Sequence, residues 1–474
     1  MNIVGVQVIG LLGKFNYSLN LQNEINIIHA PNGSGKTKFL MLIESIINDN
    51  FSRIIDIEFE KLIFQFENEL IWRIERKEIK QKDNDKNTNK KEFLFCYEIG
   101  YLLETYVFNE DEYHLEPDVA YFEIKISKEF NGDLATVSTI IPELRRVGTK
   151  TWAESETGET LELKEILDNY GNYEDLFETS IDYDDFFMTE FIDLSFYLPT
   201  KLIETNRLYK AKNSKGFYSN TLAISNYSNK IKGEISSILQ IYAQTSQDLD
   251  QTFPLRLMDR MAEMNDYNHT FIDILNELAT QDLERSYLAE LGLLDTNESL
   301  GEKLNIDYIK NKKAYNKYSA AVLKLFLEDS REKLSVFTDM KERVKIFLKF
   351  VNKKLIDKAM KLDRHEGFII YFKDNEKKKL DKVYQLSSGE QHTIVLLFDL
   401  LFQSPKNSLV LIDEPELSLH AAWQMDFLQE LREISNITGQ KYIVATHSPQ
   451  IVNDSWELLQ ELNLPDDGWV ENEW

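Results

Sequence analysis

The chain has 474 residues, 43% hydrophobic and 12% aromatic, which is enough for two or three units with sizeable cores. Its 80 acidic and 54 basic residues leave a net charge of −26, which argues against the whole chain being a nucleic-acid coat, because phosphate binding needs Lys and Arg. The single cysteine, Cys96, excludes internal disulfides and a CxxC metal hook and points to a reducing cytoplasm; with no uncharged apolar run of about 20 residues, no membrane span is predicted.

The first twenty residues, MNIVGVQVIGLLGKFNYSLN, alternate like a strand and lack the basic region and cleavage site of a signal peptide. Residues 3–9, 15–21 and 24–29 read as short strands. INIIHAPNGSGKTKFLMLIESII then reads as a strand, a glycine-rich turn and a helix. That context suits a phosphate loop over residues 30–37. Gly33 and Gly35 let the backbone approach phosphates, and the N–H groups around Asn32, Gly33, Ser34 and Gly35 form an anion nest. Lys36 reaches the β- and γ-phosphates, Thr37 offers a hydroxyl to Mg2+, and Lys38 completes the candidate set. Ala30 stands where such loops usually have their first glycine.

Residues 54–79 and 92–108 read as strands of an antiparallel lobe. The intervening stretch 80–92, KQKDNDKNTNKKE, has no apolar residue and reads as a mobile loop. Residues 154–193 are acidic and aromatic, a solvated face or an acidic docking surface. From about 206 to 365 the periodicity is helical, with apolar residues from Leu325 to Leu355 at steps of three and four. A packed bundle and an antiparallel coiled-coil arm both fit, with Phe253-Pro254 and residues 262–313 as interruptions.

Strand-like alternation resumes after Ile369. QLSSGEQHTIVLLF, residues 385–398, then opens a buried helix. Ser388 with Gln391 reads as its capping box, and Ser387, Ser388, Gly389 and Glu390 make a helix N-terminus that can hold an anion. Two buried strands follow. SLVLIDEP places Asp413 and Glu414 at a strand tip, where Asp413 suits Mg2+ and Glu414 suits the base that orients an attacking water. KYIVATHSP ends another strand at His447, whose Nε2 is a candidate γ-phosphate contact.

NGSGKT, LSSGEQ, LIDEPELSLH and ATHSP, in this order, resemble the ATP-binding-cassette ATPase heads of the SMC, Rad50, RecF and OLD group. The resemblance implies an α/β fold: a mixed sheet with an antiparallel β-lobe and a large helical or coiled-coil insertion. It divides the chain into a head half at 1–205, an insertion at 206–370 and a second head half at 371–474. It also implies ATP and Mg2+ as cofactors, and a head-to-tail homodimer, or a higher oligomer of dimers. In that dimer Ser388 and Gly389 of one copy cap the ATP held by the other, and residues Leu417, Ser418, Leu419 and His420 cross to the partner. FYLPTKLIETNRLY resembles the region of the family's glutamine, with Asn206 in its place and Arg207 beside it.

The long helical excursion is unlike transporter ATPases, and the 27 residues after His447 leave no room for a TOPRIM nuclease. What remains resembles the stand-alone OLD-like ATPases of antiviral operons, above all the PARIS ATPase family (AriA), with the Septu ATPases (PtuA) second. That resemblance implies a slow regulatory ATPase that senses a phage-encoded trigger protein and controls a separate TOPRIM or HNH nuclease. A DNA-repair ATPase of the RecF or Rad50 type is the alternative.

Overall fold

The computed structural model describes residues 2–31, 33–48, 50–67, 70–78, 90–101, 120–130, 144–147, 151–154, 160–162, 177–183, 198–204, 209–212, 219–262, 271–295, 317–380 and 386–462. The chain forms two compact units. The first is Met1–Asn206, Asn213–Tyr218 and Gln403–Trp474; the second is Arg207–Lys212 and Ser219–Phe402. The second unit therefore runs past the 370/371 boundary expected from the sequence.

The first unit opens with β1 (Ile3–Leu11), β2 (Phe15–Asn20) and β3 (Ile25–His29), then α1 (Lys36–Ile47). β4 (Lys61–Phe66), β5 (Leu70–Glu78), β6 (Lys90–Tyr101), β7 (Ala120–Phe130), β8 (Leu144–Arg146), β9 (Thr151–Glu154), β10 (Thr160–Glu162), β11 (Phe177–Tyr183) and β12 (Thr200–Ile203) follow. Seven of these strands form one antiparallel sheet in the order β11-β7-β6-β5-β4-β1-β2, which is the expected lobe. One expectation is corrected here. Lys90, Lys91 and Glu92 are not loop but strand, opposite Glu129, Lys128 and Ser127. Backbone pairing carries the strand through a stretch with no apolar residue. Residues 80–89 and 102–108, and most of 154–193, lie outside the described residues.

The first unit's second sheet has the order β12-β18-β19-β3-β20, with β18 (Leu409–Asp413), β19 (Lys441–Ala445) and β20 (Leu459–Glu461), and every pair in it is parallel. β18 is buried along its whole length, as the apolar run LVLI requires of a strand covered on both faces. α1 packs on β12 and β18. Phe39, Leu40, Leu42, Ile43 and Ile46 on α1 share one core with Val8, Phe64 and Trp72 of the antiparallel sheet and Leu411 and Ile443 of the parallel one. Each such side chain contributes ~2 kcal/mol on burial, so the helix that begins at Lys36 is anchored from both sheets.

The second unit contains the hairpin β13–β14 (Tyr209–Lys212, Ser219–Leu222) and the helices α2 (Ala223–Ala262), α3 (Phe271–Glu290), α4 (Lys317–Ser335) and α5 (Thr338–Lys354). The antiparallel strands β15 (Lys358–Asp363), β16 (Gly367–Phe372) and β17 (Asn375–Lys379) come next, and α6 (Ser388–Phe398) closes the unit. α4 packs against both α2 and α3. A part-buried ion pair and a buried hydrogen bond join them: Arg256 is paired with both oxygens of Asp329, and Gln281 Nε2 donates to Leu327 O at 2.8 Å. Pro254 does not interrupt the helix; it lies inside the 40-residue α2. A helix-interior proline removes the backbone bond to the carbonyl four residues earlier, here that of Asp250, and α2 continues through it. Strand structure resumes at Lys358, earlier than the alternation after Ile369 suggested. Among the described residues no helix is long and apolar enough to cross a membrane.

Candidate functional site

In the parallel sheet Ile28 lies opposite Ala445, and Ala445 opposite Asp413. All the strands run the same way, so β3, β18 and β19 end together on one edge. Ligands of open α/β sheets bind outside that carboxyl edge. The three segments singled out in the sequence, 30–37, 413–414 and 446–448, thus emerge side by side.

The loop after β3 turns through Gly33 and Gly35 at φ +78° and +81°, a conformation that favours glycine. A Cβ on Gly33 would meet nothing within 4 Å, so the backbone there faces open space. Tyr17 supports the loop from β2: its hydroxyl donates to Ser34 O at 2.5 Å, and burial pushes its phenol upward, which keeps it a donor. Ser34 is itself buried, and its hydroxyl has no hydrogen-bond partner among the described residues.

Lys36 is buried, and its ammonium uses three donors: Ala30 O at 2.8 Å, Pro31 O at 3.2 Å and His447 Nε2 at 2.5 Å. The last contact requires the His447 tautomer with its proton on Nδ1. Burial lowers the lysine's pKa, and Glu414, Asp413 and Glu416 oppose that shift. Thr37 Oγ1 donates to Asp413 Oδ2 at 2.8 Å. Asp413 is 3% exposed. The hydroxyl and carboxylate are hard oxygen donors of the kind Mg2+ takes, and an ion held this way takes its remaining ligands from water and phosphate. Consistently, among the described residues no three His, Cys, Asp or Glu side chains cluster to hold a metal alone.

Glu414 has φ 42° and ψ 61°, a left-handed conformation costing about 1–2 kcal/mol in a non-glycine residue. Its N–H donates to Ala445 O at 2.9 Å, and its Oε1 lies 3.5 Å from His447 Nε2. Strain of this kind at a strand tip persists because the flanking strands hold it. Two residues at this edge were not foreseen from the sequence. Glu416 Oε1 accepts from His447 N at 2.5 Å and from Ser448 N at 3.2 Å. The His29 ring stands edge-on to His447, with centroids 5.9 Å apart, and its Nδ1 is 3.3 Å from Thr446 O. The signal for Glu416 was a third carboxylate in DEPE, one short turn beyond the second. For His29 it was a histidine directly before the phosphate loop.

The Ser387–Glu390 cluster belongs to the second unit. The capping box is Ser387 with Glu390, one residue earlier than the expected Ser388 with Gln391. Glu390 N donates to Ser387 Oγ at 3.3 Å, and Ser387 N to Glu390 Oε2 at 2.7 Å. Gln391 turns back instead, its amide donating to Leu386 O at 2.8 Å. Glu390 is therefore engaged within its own unit, where Lys358 Nζ also lies 3.1 Å from its Oε1. Ser387 and Ser388 are exposed. Ser387→Ala should lower stability by about 1 kcal/mol and depress the melting temperature in a thermal scan. Lys38 is half-buried beside Thr37. Asn32, Asn206 and Arg207 lie outside the described residues.

Residues 309–453 match the family described as "AAA domain, putative AbiEii toxin, Type IV TA system". "Retron Ec83 probable ATPase" of Escherichia coli is 31% identical over 195 residues, 36% of this chain and 34% of that protein. "Retron Vc95 probable ATPase" of Vibrio cholerae is 25% identical over 244 residues, 47% of this chain and 42% of that one. The chain thus spans well under half the length of the curated relatives it matches. An Smc head domain of Pyrococcus furiosus, solved with an extended coiled coil and bound to the C-terminal domain of ScpA, covers 95% of this chain at 14% identity and a TM-score of 0.34; 90% of that chain is covered. Residues 309–453 are thus similar to an AAA-type domain, and parts of the chain are similar to two proteins named as probable retron ATPases.

Proposed function

We propose that this chain binds and hydrolyses ATP with Mg2+, slowly and as a regulatory act. The observation that supports it best is the meeting of Lys36, Thr37, Asp413, Glu414 and His447 on one edge of one parallel sheet. On this reading the backbone from Asn32 to Gly35 and the Lys36 ammonium hold the phosphates, with Lys38 at the rim. The Lys36 donors now spent on His447 and the loop carbonyls turn to the nucleotide. Thr37 and Asp413 hold Mg2+, which neutralises charge on the phosphates. Glu414 orients and deprotonates the attacking water, and His447, once Lys36 leaves its Nε2, turns to the tautomer with its proton on Nε2 and donates to the γ-phosphate. Asp413→Asn should preserve the fold while raising the Mg2+ concentration for half-maximal turnover about tenfold or more, as read from a Mg2+ titration of hydrolysis.

A second copy completes the pocket: exposed Ser387 and Ser388, with Gly389, meet the triphosphate held by its partner. The dimer test is mass in solution with and without ATP. A mass independent of ATP, at concentrations that saturate the site, contradicts it.

We further propose that this ATPase is the sensing and scaffold subunit of an anti-phage system, close to the PARIS type, which restrains a separate TOPRIM or HNH nuclease until a phage protein binds. The sequence resemblance and the retron ATPase relatives support this. Affinity capture of the native protein with its operon neighbours tests it; a permease in place of a nuclease refutes it. One observation favours a second reading. Lys345, Lys349 and Lys353 are exposed at steps of four along α5, a basic stripe in an acidic chain. A DNA-repair ATPase would use it, and would show DNA affinity that falls steeply with salt.

A further inference from the structure

We infer that Glu416 is a positioning residue that clamps the His447–Ser448 turn in register with Glu414. The inference rests on the ATPase reading above and deepens it. The turn is joined to the segment after β18 at several points. Glu416 Oε1 accepts the two successive backbone N–H groups of His447 and Ser448, at 2.5 and 3.2 Å. Gln424 adds a second clasp: its Oε1 accepts from Ser448 Oγ at 2.6 Å, while its Nε2 donates to Leu419 O at 3.0 Å and Glu416 O at 3.4 Å. Behind both, Glu414 N donates to Ala445 O at 2.9 Å.

The turn's other supports reach β3 and the phosphate loop rather than β18: Thr446 N donates to Ile28 O at 3.1 Å, His29 Nδ1 lies 3.3 Å from Thr446 O, and Lys36 Nζ meets His447 Nε2. Ser448 N also reaches Thr446 Oγ1 at 3.0 Å, a bond within the turn that does not tie it to β18. Two N–H groups on one carboxylate oxygen form a charge-assisted pair, stronger than neutral bonds. Burial lowers the Lys36 pKa, and Glu416, with Glu414 and Asp413, opposes that shift, so it belongs to the same field as the nucleotide-facing groups. The chemistry of the clamp is that of an acceptor. An amide oxygen in place of the carboxylate keeps both bonds; a methyl group keeps neither.

The consequence is a division of labour on one short segment. Glu414 addresses the water, and Glu416, two residues on, sets where the histidine opposite it stands. Nucleotide affinity depends on residues 33–37 and is largely independent of the clamp. Misplacement of a catalytic group by about 1 Å lowers turnover by up to about 100-fold.

The test compares Glu416→Ala with Glu416→Gln. In Glu416→Ala, kcat should fall about 10- to 100-fold with KM for ATP within about threefold, while Glu416→Gln should stay within about threefold of wild type in both. The second readout needs no nucleotide. Amide exchange over residues 446–450 should quicken about tenfold in Glu416→Ala and stay as in wild type in Glu416→Gln. Unchanged exchange in Glu416→Ala overturns the clamp, as does an equal loss of kcat in both variants. If wild type itself fails to hydrolyse ATP, the ATPase reading falls, and with it the kcat arm, while the exchange result still decides whether Glu416 holds the turn.

Discussion

Lys36→Ala is expected to weaken ATP binding at least about 100-fold, since hydrogen bonds to a charged group each contribute about 1.5–3 kcal/mol and this ammonium makes three. The side chain is 5% exposed and sits beside three carboxylates. Burial lowers its pKa while Glu414, Asp413 and Glu416 raise it; the carboxylates keep the ammonium in its charged form at the edge where phosphate would arrive. Isothermal titration with ATP reads the effect directly. Lys36→Met is the control for packing, since it keeps an apolar side chain of similar length at the buried position. Wild-type affinity in both variants would refute the phosphate-loop assignment.

Glu414→Gln should leave ATP affinity near wild type and lower kcat by about 100- to 1,000-fold, the scale of losing a general base. Glutamine is close to isosteric and keeps the backbone bond to Ala445 O, so the left-handed turn survives. A slowed cycle should also hold the ATP-bound dimer longer, visible as a raised mass in sedimentation with ATP and a return to the nucleotide-free mass after its removal. Hydrolysis at the wild-type rate would remove Glu414 from the role of base and shift attention to Glu416 and His447.

Much of the head is legible because its signals are local. The run LVLI before Asp413 demands a strand buried on both faces, and β18 is one. The glycines of NGSGKT sit where positive φ is needed. The site's second layer is illegible for the opposite reason. Tyr17, His29 and Glu416 act through bonds to backbone atoms of distant segments, and Gln424 through the Ser448 hydroxyl, and nothing in their own neighbourhoods fixes those partners. The one-residue shift of the capping box is a different failure. Ser387-Glu390 and Ser388-Gln391 both satisfy the spacing, and the decision fell to Lys358, which draws Glu390 from another element. Pro254 likewise reads as a break, yet α2 runs through it.

β12 and β18 are hydrogen-bonded neighbours, with Ile203 opposite Ile412, although roughly two hundred residues of chain separate them, and closing so long a loop costs little more than closing one half its length, about 0.6 kcal/mol per doubling. The excursion leaves the parallel sheet and rejoins it through a single seam. Turns added to or deleted from α2 and α4 in matched numbers leave that seam, and the edge bearing Asp413, unaltered. The length of these helices is therefore nearly free for selection to adjust: proteins with this sheet edge are expected to differ more in the reach of their helices than in any other dimension.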